Sequence, residues 1–214
     1  MGDQSFEVRI CNSCGLRYPL THGHSFGIRC PHCLGETRIV LEKKINKEIG
    51  TREKETPNTG SKLNVLVDNV RSAWNVGSIL RSADGFGFAH VYLCGITPTP
   101  EEEAVQKTSL GSEDYVTWSY HKDAVKLVKG LKKEGWKILT LEEDEKAISI
   151  QSIRKSDSEN VVLIVGNEIT GVDPELLDTS DMIVYIPMYG KKRSFNVATA
   201  FGVAANHLSR LTIS

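Results

Sequence analysis

The sequence predicts an α/β domain built on a largely parallel sheet, preceded by a small cysteine-rich unit. Three observations carry that prediction. Apolar runs of strand length recur after residue 62, and helix-length stretches separate most of them. Four of the five cysteines fall as two Cys-x-x-Cys pairs near the amino terminus.

The pairs are Cys11 with Cys14 and Cys30 with Cys33, with fifteen residues between them. Each pair can hang two thiolates from one tight knuckle, and two knuckles make a tetrahedron around zinc. Gly15 and Gly35 suit the sharp turns, and Pro31 stiffens the second. The first ten residues, MGDQSFEVRI, lack the basic-then-apolar pattern of a signal peptide. A cytoplasmic location is therefore expected, where thiols stay reduced and disulfides are disfavoured. Four thiolates already complete a structural site, so His22, His24 and His32 read as surface residues. Residues 1–41 are too few to hold a core alone, so metal ligation would supply the folding energy of a zinc ribbon. Arg9, Arg17, Arg29 and Arg38 are compatible with RNA contact and equally with an ordinary solvated surface. Residues 42–62 are charged, end in Pro57, Asn58, Gly60 and Ser61, and read as a linker.

From residue 63 the pattern changes. Strands are expected at 63–67, 90–94, 116–120, 136–141, 161–165 and 182–186. Helices are expected at 77–86, 101–110, 122–134 and 194–211, and the polar stretch 144–160 has room for a short one. Gly85 and Gly87 look like a helix stop, and Cys94, after an apolar run, like a core thiol. The strongest apolar run, at 161–165, is strand-sized and too short to cross a membrane. No Gly-x-Gly-x-x-Gly follows the first strand and no P-loop occurs, so an ordinary dinucleotide or P-loop site is not supported. The formal net charge of -1 makes no global case for a nucleic-acid partner, so any anion site must come from local clusters.

Ligands of such sheets gather at the carboxyl ends of strands, and three polar clusters lie there. The first holds Asn75, Gly77 and Arg81, with Asn75 placed to cap a helix and Arg81 among apolar neighbours as a partly buried base needing an anion. The second is Gly166, Asn167, Glu168 and Gly171, directly after VVLIV. The third runs through Ile186, Pro187, Met188, Lys191, Lys192, Arg193, Ser194, Phe195 and Asn196. Ser194 can cap the last helix. Asn196 then sits just inside it with poor helix propensity. Three bases ahead of a helix start oppose the positive end of its dipole, so they ask for a negative partner.

These three clusters, in this order and spacing, resemble the SpoU (TrmH-like) branch of the SPOUT RNA methyltransferases. The matching motifs are Asn75, Gly77 and Arg81; then Gly166, Glu168 and Gly171; then Ile186, Pro187 and Met188 with Ser194, Phe195, Asn196 and Val197. Phe195 replaces the usual Leu, and Ala198 stands where Ser is common. The resemblance covers residues 63–214 and leaves the amino-terminal ribbon aside. It implies an α/β domain with a C-terminal trefoil knot, S-adenosylmethionine as methyl donor, 2′-O-methylation of a ribose in tRNA or rRNA, and a homodimer whose active site joins both subunits.

By that resemblance Asn75, Arg81, Glu168, Ser194 and Asn196 surround the reaction. Arg81, protonated throughout the accessible pH range, is expected to stabilise the developing alkoxide rather than abstract its proton. Glu168 would orient Arg81 or receive a proton through an intermediary. The cofactor would lie against the backbone of Leu139, Thr140, Gly166, Asn167, Glu168, Ile186, Met188, Ser194 and Phe195, and Lys191, Lys192 and Arg193 would hold RNA phosphates. Two readings compete: a non-catalytic zinc-ribbon RNA-binding protein with a degenerate methylase domain, and methyl transfer to a base nitrogen.

Overall fold

The computed structural model describes residues 5–21, 28–44 and 63–213. His22, His24 and most of the expected linker, 45–62, lie outside the described residues. The chain divides into two compact units, Met1–Lys54 and Glu55–Ser214.

The first unit is a three-stranded antiparallel sheet of β1 (Ser5–Cys11), β2 (Arg17–Thr21) and β3 (Thr37–Lys44), with β1 in the middle. β3 carries strand structure three residues into what the sequence reads as linker. Glu42, Lys43 and Lys44 are charged, yet their backbone pairs with Glu7, Phe6 and Ser5. A ladder hydrogen bond does not depend on the side chain, and charge suits an edge strand. Both knuckles turn back on themselves: Cys11 N–H bonds Leu16 O, and Cys30 N–H bonds Gly35 O.

The second unit is a seven-stranded sheet in the order β6-β5-β4-β9-β7-β10-β8, and every paired strand is parallel to its neighbour. Its strands are β4 (Leu63–Asp68), β5 (His90–Cys94), β6 (Thr117–His121), β7 (Lys137–Leu141), β8 (Ile148–Ser149), β9 (Val161–Val165) and β10 (Met182–Tyr185). Helices α1 (Ala73–Gly85), α2 (Glu103–Ser109), α3 (Ala124–Lys133), α4 (Pro174–Thr179) and α5 (Val197–Ile213) cover it. Both faces are buried, which is why β9 reads as an unbroken apolar run rather than an alternating one. Val161, Leu163 and Val165 join the core that includes Ile79 and Leu80 of α1 and Phe201 and Leu208 of α5. Val162 and Ile164 face the opposite way, into a core with Val128 of α3 and Leu176 of α4. Cys94 is fully buried there, and burial pushes its thiol up to about 12.

Three expectations change. The stretch 144–160 supplies the short strand β8 and two single 3₁₀ turns rather than an α-helix. Helix α4 is an additional element, started by the Asp173 side chain and Pro174. Helix α1 begins at Ala73, earlier than expected, because Ser72 accepts the Asn75 N–H and acts as the cap. Gly77 then serves packing: a Cβ there would sit 2.5 Å from Val105 O, so only glycine lets α1 approach α2 this closely. Among the described residues no helix is long and apolar enough to cross a membrane.

Candidate active site

A cleft of about 310 Å³ opens at the carboxyl ends of β7, β9 and β10. Its wall includes Leu141 at the end of β7, Gly166 to Glu168 after β9, and Ile186 and Met188 after β10. Arg193, Ser194, Phe195 and Asn196 complete it ahead of α5. Leu139 and Thr140 do not line it. Both are fully buried within β7, and Leu141, Glu142 and Glu143 take their place at the strand end.

The loop after β9 is a tight bridge. Asn167 and Gly171 exchange backbone hydrogen bonds of 3.0 Å. A Cβ on Gly166 would lie 2.4 Å from Val172 N and 2.5 Å from the Gly171 carbonyl carbon. Gly171 has a φ of +72°, and a side chain on it would meet Glu142 Oε2. The two glycines are therefore required by close approach and by a left-handed turn respectively. Sequence reasoning missed three residues that hold this loop. Glu142 accepts the Val172 N–H at 3.0 Å, and buried Asp68 accepts the Asp173 N–H at 3.0 Å. Asn69, itself left-handed, accepts the Asn167 side-chain amide on its carbonyl at 2.6 Å. The available signal was their place: Asp68 and Asn69 at the end of one strand, Glu142 just after another.

Glu168 projects from this loop to the start of α1. Its carboxylate accepts the N–H groups of Arg71 at 3.0 Å and Ser72 at 3.1 Å, and the Asn75 side-chain amide at 2.8 Å. Burial acts to raise its pKa, but the bonds from Arg71, Asn75 and Ser72 outweigh it, and the carboxyl is held below its ordinary value. The Asn75 oxygen in turn accepts the Asn196 side-chain amide at 3.0 Å. Asn196 Oδ1 accepts the N–H groups of Ala198 at 3.0 Å and Thr199 at 3.3 Å. Asn196 is thus the cap of α5, one position ahead of the helix, and Ser194 is not. Its poor helix propensity is no conflict, because Asn is among the best caps.

One chain, then, joins Glu168, Asn75 and Asn196 in a continuous network beside the cleft that Ser194 lines. Arg81 stands apart. It is exposed rather than partly buried, and among the described residues it has no hydrogen bond or ion pair. Six residues along an α-helix turn it about 120° away from Asn75. It shares a face with Ser78 and with Trp74, which is 64% exposed. Lys191 and Lys192 are exposed without partners among the described residues, and only Arg193 of the trio reaches the cleft.

The profile of the SpoU rRNA methylase family matches residues 62–206. The chain belongs to that family. Its curated relatives include the tRNA (guanosine(18)-2′-O)-methyltransferase of Aquifex aeolicus, 27% identical over 165 residues, covering 77% of this chain and 75% of the relative. The 23S rRNA (guanosine(2553)-2′-O)-methyltransferase of Bacillus subtilis is 33% identical over 144 residues, covering 67% of this chain and 56% of the relative. Among solved structures, the A. aeolicus TrmH/SpoU tRNA modifying enzyme superposes with a TM-score of 0.65 at 26% identity, covering 72% of this chain and 77% of that one. An AdoMet-bound rRNA methyltransferase from Sinorhizobium meliloti superposes with a TM-score of 0.66 at 25% identity, covering 72% and 58%. In this SpoU-family chain the matched segment contains the whole cleft and its network.

In the first unit, Cys11, Cys14, Cys30 and Cys33 bring their sulfurs within 4.8 Å of one another. The Cys11–Cys33 and Cys14–Cys30 separations are 3.4 and 3.7 Å. A tetrahedron with Zn–S bonds of about 2.3 Å has edges of about 3.8 Å, so the thiols fit zinc. The N–H groups of Ser13 and Cys14 both point at Cys11 Sγ. His32 is exposed and outside the cluster, and four sulfurs leave it no place as a ligand.

Proposed function

We propose that this protein transfers a methyl group from S-adenosylmethionine to a ribose 2′-hydroxyl of a tRNA or rRNA. The observation that carries the reading is the Glu168–Asn75–Asn196 network beside a cleft at the strand ends. The cleft suits the cofactor. Its floor is glycine backbone at Gly166 and Gly171, its wall includes apolar Ile186 and Phe195, and its rim carries carboxylates that favour a cation. When bound, the cofactor supplies an electrophilic methyl on a sulfonium. The chain's residues do the rest.

Glu168 acts as a positioning residue. Three N–H donors hold its carboxylate in the ionised form, so its part is to fix the loop rather than to take the ribose proton. Asn75 and Asn196 transmit that position to the start of α5, fixing Ser194 and Phe195 on the wall. Arg81 stabilises the oxyanion that develops on the ribose. Because Arg81 has no partner among the described residues and is turned away from Asn75 in its own chain, we place it at the cleft of a second copy, in a homodimer whose α1 face also buries Trp74. The C-terminal trefoil knot is part of the same reading, supported by insertion of the last strand, β10, between β7 and β8. Lys191, Lys192 and Arg193 hold RNA phosphates at the cleft mouth. The four thiols hold a structural zinc that leaves no open coordination position.

Two measurements test this. Calorimetry should detect S-adenosylmethionine binding by the full chain. Mapping of 2′-O-methyl sites in total RNA should show at least one site lost when the protein is removed. Absence of cofactor binding would leave only the degenerate RNA-binding reading, and a lost base methylation would redirect the acceptor.

A further inference from the structure

The register of the first unit sorts its arginines in a way the sequence cannot. Arg9 is buried and paired with Glu7, and its Nε donates to Thr37 Oγ1 at 2.7 Å. It is spent inside the unit. Arg29 donates to Leu34 O at 3.4 Å in the second knuckle. Arg17 and Arg38 differ. Ile10 pairs with Arg17 on one side and Arg38 on the other, so the three side chains form one row across one face of the sheet. Two residues along β1, past a β-bulge that adds one residue to β3 and so returns its side chains to this face, Val8 lies between Pro19 and Leu41; two further, Phe6 lies between Thr21 and Lys43.

This face therefore has an apolar centre on β1, with a base at three of its corners. Arg17, Arg38 and Lys43 are all exposed, and among the described residues none has a hydrogen bond or ion pair. The strand acids Glu7 and Glu42 pair with each other in register and point to the opposite face. Apart from Glu36, one residue before β3, no carboxylate borders the basic face among the described residues. The corner rows lie about 13 Å apart along the strands. That span lets the corner bases meet different phosphates of one nucleic-acid strand, which carries a negative charge at every nucleotide.

We propose that this face of the first unit is an RNA-docking surface, on which Arg17, Arg38 and Lys43 hold the phosphate backbone of the substrate RNA. The proposal rests on the reading of RNA as substrate. It predicts sequence-independent binding, because phosphates and apolar stems carry no base code.

The test is a salt titration of binding by the full chain, using total tRNA and total rRNA as probes. Arg17→Gln/Arg38→Gln/Lys43→Gln should weaken binding about tenfold or more and lower the slope of log K against log salt by about 2 to 3. Arg38→Gln alone should lower it by about 1. Both should keep wild-type cofactor binding and melting temperature. A control removing three charges from the second unit, Lys126→Gln/Lys133→Gln/Lys155→Gln, should leave the slope nearly unchanged. If wild type binds RNA and the triple variant binds with the same affinity and slope, the docking face is wrong while the proposed reaction stands. Equal losses in the control would reduce the effect to net charge and overturn the face as well. If wild type binds neither RNA, the reading of an RNA substrate falls, and the docking face with it.

Discussion

Gly166→Ala separates a strand-end turn shaped for catalysis from one that is merely tight. The new Cβ would lie 2.4 Å from Val172 N and 2.5 Å from the Gly171 carbonyl carbon, where ordinary contact begins at 3.4 Å. Both obstacles are backbone, so the 166–172 loop must move by about 1 Å, at a cost of about 1–3 kcal/mol. For a chain of this size that lowers the melting temperature by about 2–12 °C. The catalytic loss should be larger than the stability loss suggests. Glu168 rides on that loop, and a displacement of about 1 Å in a reacting geometry costs about 100-fold. The matched control is Gly130→Ala in α3, where a Cβ meets nothing within 4 Å. It should stabilise by up to about 1 kcal/mol through helix propensity and leave methyl transfer unchanged. Single-turnover methylation of the mapped RNA, with thermal melts of both variants, decides the matter. Wild-type transfer by Gly166→Ala would refute the claim that this loop positions the reaction.

Arg81→Ala should cut methyl transfer by about 10²–10³-fold with cofactor affinity intact. Mixing it with Gly166→Ala should restore activity, because one site of the mixed dimer then has both a sound loop and an arginine; no restoration would place Arg81 within its own chain's site. Glu168→Gln should flatten the acid limb of stability. The carboxyl's lowered pKa stabilises the fold fully above its ordinary value of 4.5, and that contribution disappears as pH falls through the folded-state value. An identical acid limb in the Gln variant, measured by melts across that range, would show that the three hydrogen bonds carry no net stabilisation. Cys11→Ser with Cys14→Ser should lose the zinc that elemental analysis finds in wild type; a wild type without zinc would remove the metal reading.

Most of the sheet was legible because a parallel sheet covered on both faces must write its strands as apolar runs, as β4 and β9 do. The short β8 was not legible. Two residues, Ile148 and Ser149, carry no period, and only β10 beside them makes them a strand. Asn75, Glu168 and Asn196 were legible as candidates, but their hydrogen-bond partners were not. Asn75 reads as a cap and is instead a bridge, because Ser72 takes the cap. Asn196 reads as misplaced in a helix and is the cap of that helix. Glu168 reads as a residue that orients Arg81 or receives a proton through an intermediary, and the structure adds three donors on it. The links between these residues were out of reach of a local reading, because Asn75 lies 93 residues from Glu168 and Asn196 lies 121 residues from Asn75.

The net charge of -1 is uninformative for a physical reason that the structure supplies. Many acids and bases neutralise one another within the chain: Arg9 with Glu7, Lys107 with Glu103, Lys129 with Glu175, Lys132 with Asp181. What remains for an outside partner is the unpaired fraction. Among the described residues it includes Lys191, Lys192 and Arg193 ahead of α5, and Arg17, Arg38 and Lys43 on the first unit's sheet. A base placed beside the positive end of a helix pays an electrostatic cost unless an anion joins it. That trio is therefore best explained by a phosphate partner, whereas the sheet trio faces no such opposing dipole and rests on its shared face alone. The two clusters should separate in experiment. Loss of the loop bases should impair transfer at saturating RNA, because the loop that carries them enters the cleft wall at Arg193. Loss of the sheet bases should be overcome by raising the RNA concentration.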